Sequence, residues 1–153
     1  PGQALTRVAL FEDCDETMLQ AFAMMLKPRV YNAGDEITHI DALGSELFIL
    51  DQGRVEVLSR SGEQKAEFSD GQVFGELSLL VTKKRRVKVR ALTYCAIYTL
   101  DKHDFCKVLI DHPQFARRMM DVARDRYELI VRTGSELQSD DFMDGEAESL
   151  LES

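Results

Sequence analysis

The sequence predicts an α+β domain: an antiparallel, jelly-roll-like β-roll of about eight short strands, with one helix before it and two after. Three observations carry this. Gly34, Gly44, Gly53, Gly62 and Gly71 recur every nine or ten residues, with short runs rich in Val, Ile, Leu and Phe between them. That is the turn spacing of successive antiparallel strands. Apolar residues at helical spacing fill the segments before Pro28 and after Leu100, and 153 residues suffice for one domain with its own core.

In chain order, Met18, Leu19, Phe22, Met25 and Leu26 lie on one face of a helix from Asp13 to Leu26. Asp13 or Asp15 can cap it and Pro28 ends it. The segments between the glycines do not resemble one another, so the chain is not a repeat protein. Arg54-Val55-Glu56-Val57 and Arg86-Val87-Lys88-Val89-Arg90 alternate like half-buried strands. Val73 to Leu80 breaks the alternation and runs helix-like. Asp101 caps a short helix ending near Ile110, and Asp111-His112-Pro113 opens the last one. Phe115, Met119, Val122, Ala123, Tyr127 and Ile130 form its apolar stripe to about Arg132, with Gly134 as the stop. Residues 1–132 are thus the domain, and 133–153 a polar, disordered tail.

Charge narrows the function. The chain carries a net −8, and seven carboxylates with no Lys or Arg lie in 133–153, which leaves −1 for residues 1–132. A nearly neutral body with an acidic end is no nucleic-acid footprint. Leu150-Leu151 could belong to a docking peptide. No apolar run is long enough to span a bilayer and no leader pattern opens the chain, so no direct membrane insertion is expected. The Pro-Gly start fits a piece of a longer protein, including the soluble part of a membrane protein. Cys14, Cys95 and Cys106 are odd in number and widely spaced, which fits a reducing cytosol. They form no ligand pattern with His39, His103 and His112, so no metal site and no cofactor are expected. No P-loop, Gly-x-Ser-x-Gly or His-Glu-x-x-His motif is present, and no enzyme is expected.

One stretch carries chemistry. Val73-Phe74-Gly75-Glu76-Leu77-Ser78-Leu79-Leu80 precedes the basic run Lys83-Lys84-Arg85-Arg86. A glycine opening a short helix lets the backbone amides approach an anion. An arginine about ten residues on can close over the same anion with a planar fork of donors. The Glu76 carboxylate would repel a phosphate but can accept from a sugar hydroxyl. Together these parts suit a phosphorylated ribose, and on general grounds a solvated basic hairpin beside a helical turn suits the same residues.

Phe74-Gly75-Glu76-Leu77-Ser78-Leu79-Leu80 with Arg85 resembles the phosphate-binding cassette of cyclic-nucleotide-binding domains. Asn32-Ala33-Gly34-Asp35-Glu36-Ile37 resembles the family's early turn. Gly44 to Leu50 and Gly53 to Val57 resemble its paired core strands, and Arg90 to Cys95 with Tyr98-Thr99-Leu100 its last ones. Asp125-Arg126 resembles the lid of the channel members. The hyperpolarisation-activated and cyclic-nucleotide-gated channels look nearer than the kinase regulatory subunit or the bacterial catabolite activator. The resemblance implies that the amides of Gly75 and Glu76, with Arg85, hold the cyclic phosphate of cAMP or cGMP, and that Glu76 takes the ribose 2′-hydroxyl. It makes Phe74, Val57, Leu77, Val87 and Val89 an apolar wall, includes Ser78 in the cassette, and sets Arg126, Leu129, Ile130 and Arg132 of the lid over the purine.

Three positions depart from the family pattern. Arg86 replaces the Thr of channel relatives, and alternation turns it away from Arg85, Val87 and Val89, toward solvent or to the rim of the phosphate site. The missing Thr favours cAMP over cGMP. Val87 replaces a small Ala, and such overpacking costs about 1–3 kcal/mol. Asp41 stands where Gly is common. The resemblance implies a regulatory module whose lid helix acts on an attached effector: a cation channel, or else an exchanger or kinase-like regulator. The alternative is a degenerate module without ligand that serves assembly. The piece is expected to be mainly monomeric, from a homo-oligomeric plasma-membrane parent with this domain in the cytoplasm.

Overall fold

The structure, a computed structural model, describes residues 5, 6, 8, 11, 12, 14–80 and 82–133, and of residues 77, 122, 123 and 126–133 the backbone alone. Asp13, Gly134 and the rest of the expected tail lie outside the described residues. Helix α1 (Glu16–Ala23) precedes ten antiparallel strands: β1 (Lys27–Tyr31), β2 (Glu36–Thr38), β3 (Leu43–Gly44), β4 (Glu46–Gln52), β5 (Val55–Leu58), β6 (Gln64–Phe68), β7 (Val73–Phe74), β8 (Lys83–Lys84), β9 (Lys88–Ala91) and β10 (Cys95–Asp101). Between β7 and β8 lies a 3-10 helix, Glu76–Leu79, and the chain continues into α2 (Lys102–Ile110) and α3 (Pro113–Thr133). Eight of the strands form two four-stranded sheets, ordered β1-β10-β4-β7 and β2-β9-β5-β6, and β3 with β8 makes a two-residue ribbon. The expected roll is present, with that ribbon added.

Helix α1 is shorter than its apolar pattern suggested. Asp15 caps it, its Oδ1 accepting from the Met18 N–H at 2.9 Å. The helix ends at Ala23, with Met24 as C-cap, and Pro28 does not act as the stop. Pro28 sits inside β1, opposite Tyr98 of β10. An edge strand tolerates proline because its outer side needs no ladder donor. Sequence spacing counted Met25 and Leu26 as another helical turn because both pack on the same core as Phe22.

Two cores share one wall. Along β4, Leu47 and Ile49 face a helical core, whereas Phe48 and Leu50 face the interior of the roll. The period-2 alternation of a strand thus serves both sides. In the helical core, Phe22 of α1 lies 4.8 Å from Phe11, 5.6 Å from Phe105 of α2 and 6.3 Å from Phe115 of α3, measured between ring centroids. The roll interior holds Val55, Val57, Phe68, Phe74, Val87, Val89 and Ile97. Strand β5 departs from the expected half-buried alternation: all four of its residues are buried. It lies between β9 and β6, and Glu56 on its outer face is covered by Arg90, whose Nη2 donates to Oε2 at 2.8 Å.

The α2 cap is also an acid-sensitive point. The Asp104 backbone N–H donates to Asp101 Oδ1 at 2.8 Å, and this bond, with the Lys27 ammonium, holds the Asp101 carboxyl below the usual carboxylate range. A depressed folded pKa means that the cap's contribution is present above the unfolded value of about 3.9 and is lost as pH falls through the folded one. Asp101→Ala is therefore expected to cost about 1 kcal/mol at pH 7. Urea unfolding across pH is expected to show this difference narrowing below about pH 4.

Candidate functional site

Strand β7 ends at Phe74, whose ring stacks on Phe48 at 5.1 Å and on Phe68 at 5.5 Å. The next residue, Gly75, has φ +86°, and a Cβ on it would stand 2.6 Å from the Glu46 carbonyl oxygen of β4. Only glycine lets the chain turn and cross β4 this closely. The 3-10 helix follows at once, with the Ser78 N–H donating to the Gly75 carbonyl at 3.1 Å. Glu76 is buried, and the Ser78 side chain is fully enclosed with its Oγ making no hydrogen bond among the described residues. Gly75→Ala is expected to lower stability by about 1–3 kcal/mol through this clash. Gly34→Ala, equally left-handed at φ +92° but facing open space, is the control that carries backbone strain alone, read by thermal melting of both.

Arg85 is held through its backbone. Its N–H donates to the Ala42 carbonyl at 2.8 Å, and its carbonyl accepts from the Asp41 N–H at 2.8 Å. Asp41 itself has φ +69°, the left-handed turn that a glycine would adopt freely and that Asp tolerates better than most residues. Its carboxylate accepts from Arg60 Nη2 at 2.8 Å, which pulls the Asp41 pKa down and raises that of Arg60. The Arg85 side chain is only 3% exposed, and its guanidinium carbon lies 5.6 Å from the Phe48 ring centroid. A Cβ on Gly44 would stand 3.1 Å from Arg85 Cζ and 3.2 Å from Ser78 Oγ. The guanidinium and the serine hydroxyl therefore converge over the bare backbone of β3.

From Arg85 onward burial alternates as the sequence suggests. Arg85, Val87 and Val89 are buried, and Arg86 is exposed. Lys88 and Arg90 turn outward to Glu36 and Glu56. Arg86 thus lies on the outer face of this segment. Val87 packs in the roll interior with Val57, Val89 and Phe74, so its extra methyls are accommodated in a close-packed cluster. The fold gathers Gly75, Ser78 and Arg85 around β3 and β4, and Phe74, Val57, Val87 and Val89 in the adjoining interior. The side chains of Leu77, Arg126, Leu129, Ile130 and Arg132 lie outside the described residues, and only the backbone of α3 is placed.

Two features of the site escaped sequence reasoning. Gly44 reads as a turn signal but lies in β3, paired with Lys83 of β8, where its lack of a side chain makes room for Arg85 and Ser78. Phe48 reads as a core residue, and its ring also backs the guanidinium. No local pattern marks either role, because each depends on strands more than 30 residues apart in sequence.

Comparison with known proteins agrees with this architecture. The family described as cyclic nucleotide-binding domain matches residues 28–112, more than half of the chain. The chain is 35% identical over 126 residues to the potassium/sodium hyperpolarization-activated cyclic nucleotide-gated channel 2 of Mus musculus, covering 82% of this chain and 14% of that protein. It is 33% identical to channel 4 of Oryctolagus cuniculus over 82% of this chain and 11% of that one. The chain thus spans a small part of the length of these curated relatives. In fold it is similar to the N-terminal domain of a transcriptional regulator from Streptomyces coelicolor A3(2), with TM-score 0.75, 23% identity, and coverage of 90% of this chain and 98% of that one. It is likewise similar to the C-linker/CNBHD of zELK channels, crystallized in the presence of cAMP, with TM-score 0.68, 22% identity, and coverage of 79% and 62%. With the family match laid over the roll and the Gly75–Arg85 site, the chain belongs to the cyclic nucleotide-binding domains, and within them it is related to those of the hyperpolarisation-activated channels.

Proposed function

We propose that this domain binds a cyclic nucleotide, cAMP in preference to cGMP, and that closure of α3 over the ligand acts on a membrane cation channel of which it is the cytoplasmic part. The observation that carries the reading is the meeting of Arg85, Ser78 and Gly75 beside β3 and β4. Arg85 and the amides of Gly75 and Glu76 hold the cyclic phosphate, Glu76 accepts from the ribose hydroxyl, and Phe74, Val57, Leu77, Val87 and Val89 wall the ligand. Arg126, Leu129, Ile130 and Arg132 of α3 cover the purine. The domain works as a binding module, not as a catalyst, and the piece is monomeric within an oligomeric parent. Ligand shifts the effector only by the difference in its affinity for the open and closed lid.

A specific observation favours a second reading, a degenerate module that serves assembly. Arg85 is almost entirely enclosed over Phe48, so the protein's own residues occupy the space around the arginine. Calorimetric titration with cAMP and with cGMP decides between the two. Saturable binding with cAMP the stronger ligand is the expected result. No heat up to millimolar nucleotide from a folded sample would transfer the domain to the second reading, and a stronger response to cGMP would overturn the preference alone.

A further inference from the structure

The main chain of Arg85 is clamped by Ala42 and Asp41, but a long flexible side chain separates that clamp from the guanidinium. Three aromatic rings lead up to the guanidinium. Phe68 of β6 stacks on Phe74 of β7, with centroids 5.5 Å apart and planes 12° from parallel. Phe74 stacks on Phe48 of β4 at 5.1 Å and 14°, because the register of the two strands sets these residues opposite one another. The Arg85 guanidinium carbon then lies 5.6 Å from the Phe48 centroid. The same ring touches the other half of the site, since a Cβ on Gly75 would stand 3.4 Å from Phe48 Cδ2.

Phe48 is 1% exposed and Arg85 3%, so the contact is sheltered from water, where the attraction between a cation and the negative face of a ring is strongest. It uses none of the guanidinium's N–H donors, so it holds the group without competing with an anion for them. Stacking on Phe74 fixes the ring, and the bare Gly44 leaves the guanidinium room beside it. We propose that Phe48 is a positioning residue for nucleotide binding: its π face holds the Arg85 guanidinium in place beside Gly75, ahead of the cyclic phosphate. A guanidinium placed in advance loses less freedom when the anion arrives, and that saving appears as affinity. The effect on affinity rests on the nucleotide-binding reading, whereas the placement of the guanidinium does not.

The test uses the full chain and has two arms. Without ligand, the NMR signal of the Arg85 Nε–H is expected to be shielded by the ring current of Phe48 and to lose that shielding in Phe48→Leu. An unshielded signal in the native chain would overturn the placement. With ligand, Phe48→Leu is expected to weaken cAMP binding about five- to thirtyfold when Arg85 is present, and less than about twofold in the Arg85→Gln background. An equal loss in both backgrounds would mean that the ring acts by packing alone, and would overturn the proposal. Because Phe48→Leu also empties part of a packed interior, a second series keeps the ring and withdraws charge from its face. Mono-, di- and trifluorinated phenylalanine at position 48 are expected to lower cAMP affinity stepwise at little cost in melting temperature. Affinity indifferent to fluorination would overturn the π contact. A native chain that binds no nucleotide would sink the nucleotide-binding reading, and the placement by Phe48 then stands or falls on the Arg85 signal alone.

Discussion

Arg85→Glu is expected to weaken cyclic-nucleotide binding at least a hundredfold, on the order of the 3–5 kcal/mol lost when one partner of a buried charge pair is removed. Two effects act together. The planar fork of donors that would hold the phosphate disappears, and a carboxylate takes its place in surroundings where the native side chain is only 3% exposed. Two anions in a site sheltered from water repel far more strongly than at a surface. The backbone clamp is indifferent to the side chain, since Ala42 and Asp41 bond the Arg85 main chain. A buried unpaired carboxylate still threatens folding, so Arg85→Gln accompanies it as a neutral variant of similar reach. Gln is expected to lose about tenfold or more with little change in melting temperature. Calorimetry on both variants, with melting curves, separates a lost ligand contact from a lost fold. Native affinity in folded Arg85→Gln and Arg85→Glu proteins would remove Arg85 from the site.

Phe22→Ala is expected to destabilise the domain by about 3–5 kcal/mol, the usual cost of emptying a large aromatic site in a packed core. Phe22 is fully buried and touches an aromatic ring from each of its helical neighbours: Phe11 before α1, Phe105 of α2 and Phe115 of α3. Its ring thus ties α1 to both C-terminal helices. Equilibrium urea unfolding reads the loss, and Phe22→Leu, which keeps most of the volume, is expected to cost less than half as much. A loss below 1 kcal/mol in Phe22→Ala would mean that the helices close over the gap and that the aromatic cluster does not tie them together.

How much of this was legible in the sequence can be judged residue by residue. Asp101 was readable as a cap, and the α1 cap as Asp13 or Asp15, because capping is settled within three residues: the acceptor and the N–H it satisfies lie on one turn; the structure uses Asp15. The inward facing of Arg85, Val87 and Val89 was readable because a strand alternates whatever its partners are. Gly34, Gly53, Gly62 and Gly71 were readable as turns, and each adopts positive φ. The end of α1 was not readable, because Met25, Leu26 and Pro28 satisfy a helical pattern as well as they satisfy the turn and edge strand they form. The expected half-burial of β5 failed for a related reason: its outer residue, Glu56, is covered by Arg90, 34 positions away.

The sequence by itself determined the order of elements and the face on which Arg85 lies, since these follow from short-range spacing, capping and alternation, whereas Phe74 to Leu80 stood out by resemblance to the family's cassette. Only the tertiary structure decided that Gly44 is a gap for a guanidinium and a serine hydroxyl, that Phe48 backs Arg85, and that Asp41 bends left-handed to hold the arginine's backbone. Those outcomes depend on the register with which β3 meets β8 and β4 meets β7. Register joins segments tens of residues apart, and it is set by the simultaneous packing of two cores on either face of β4, which no local window of sequence contains.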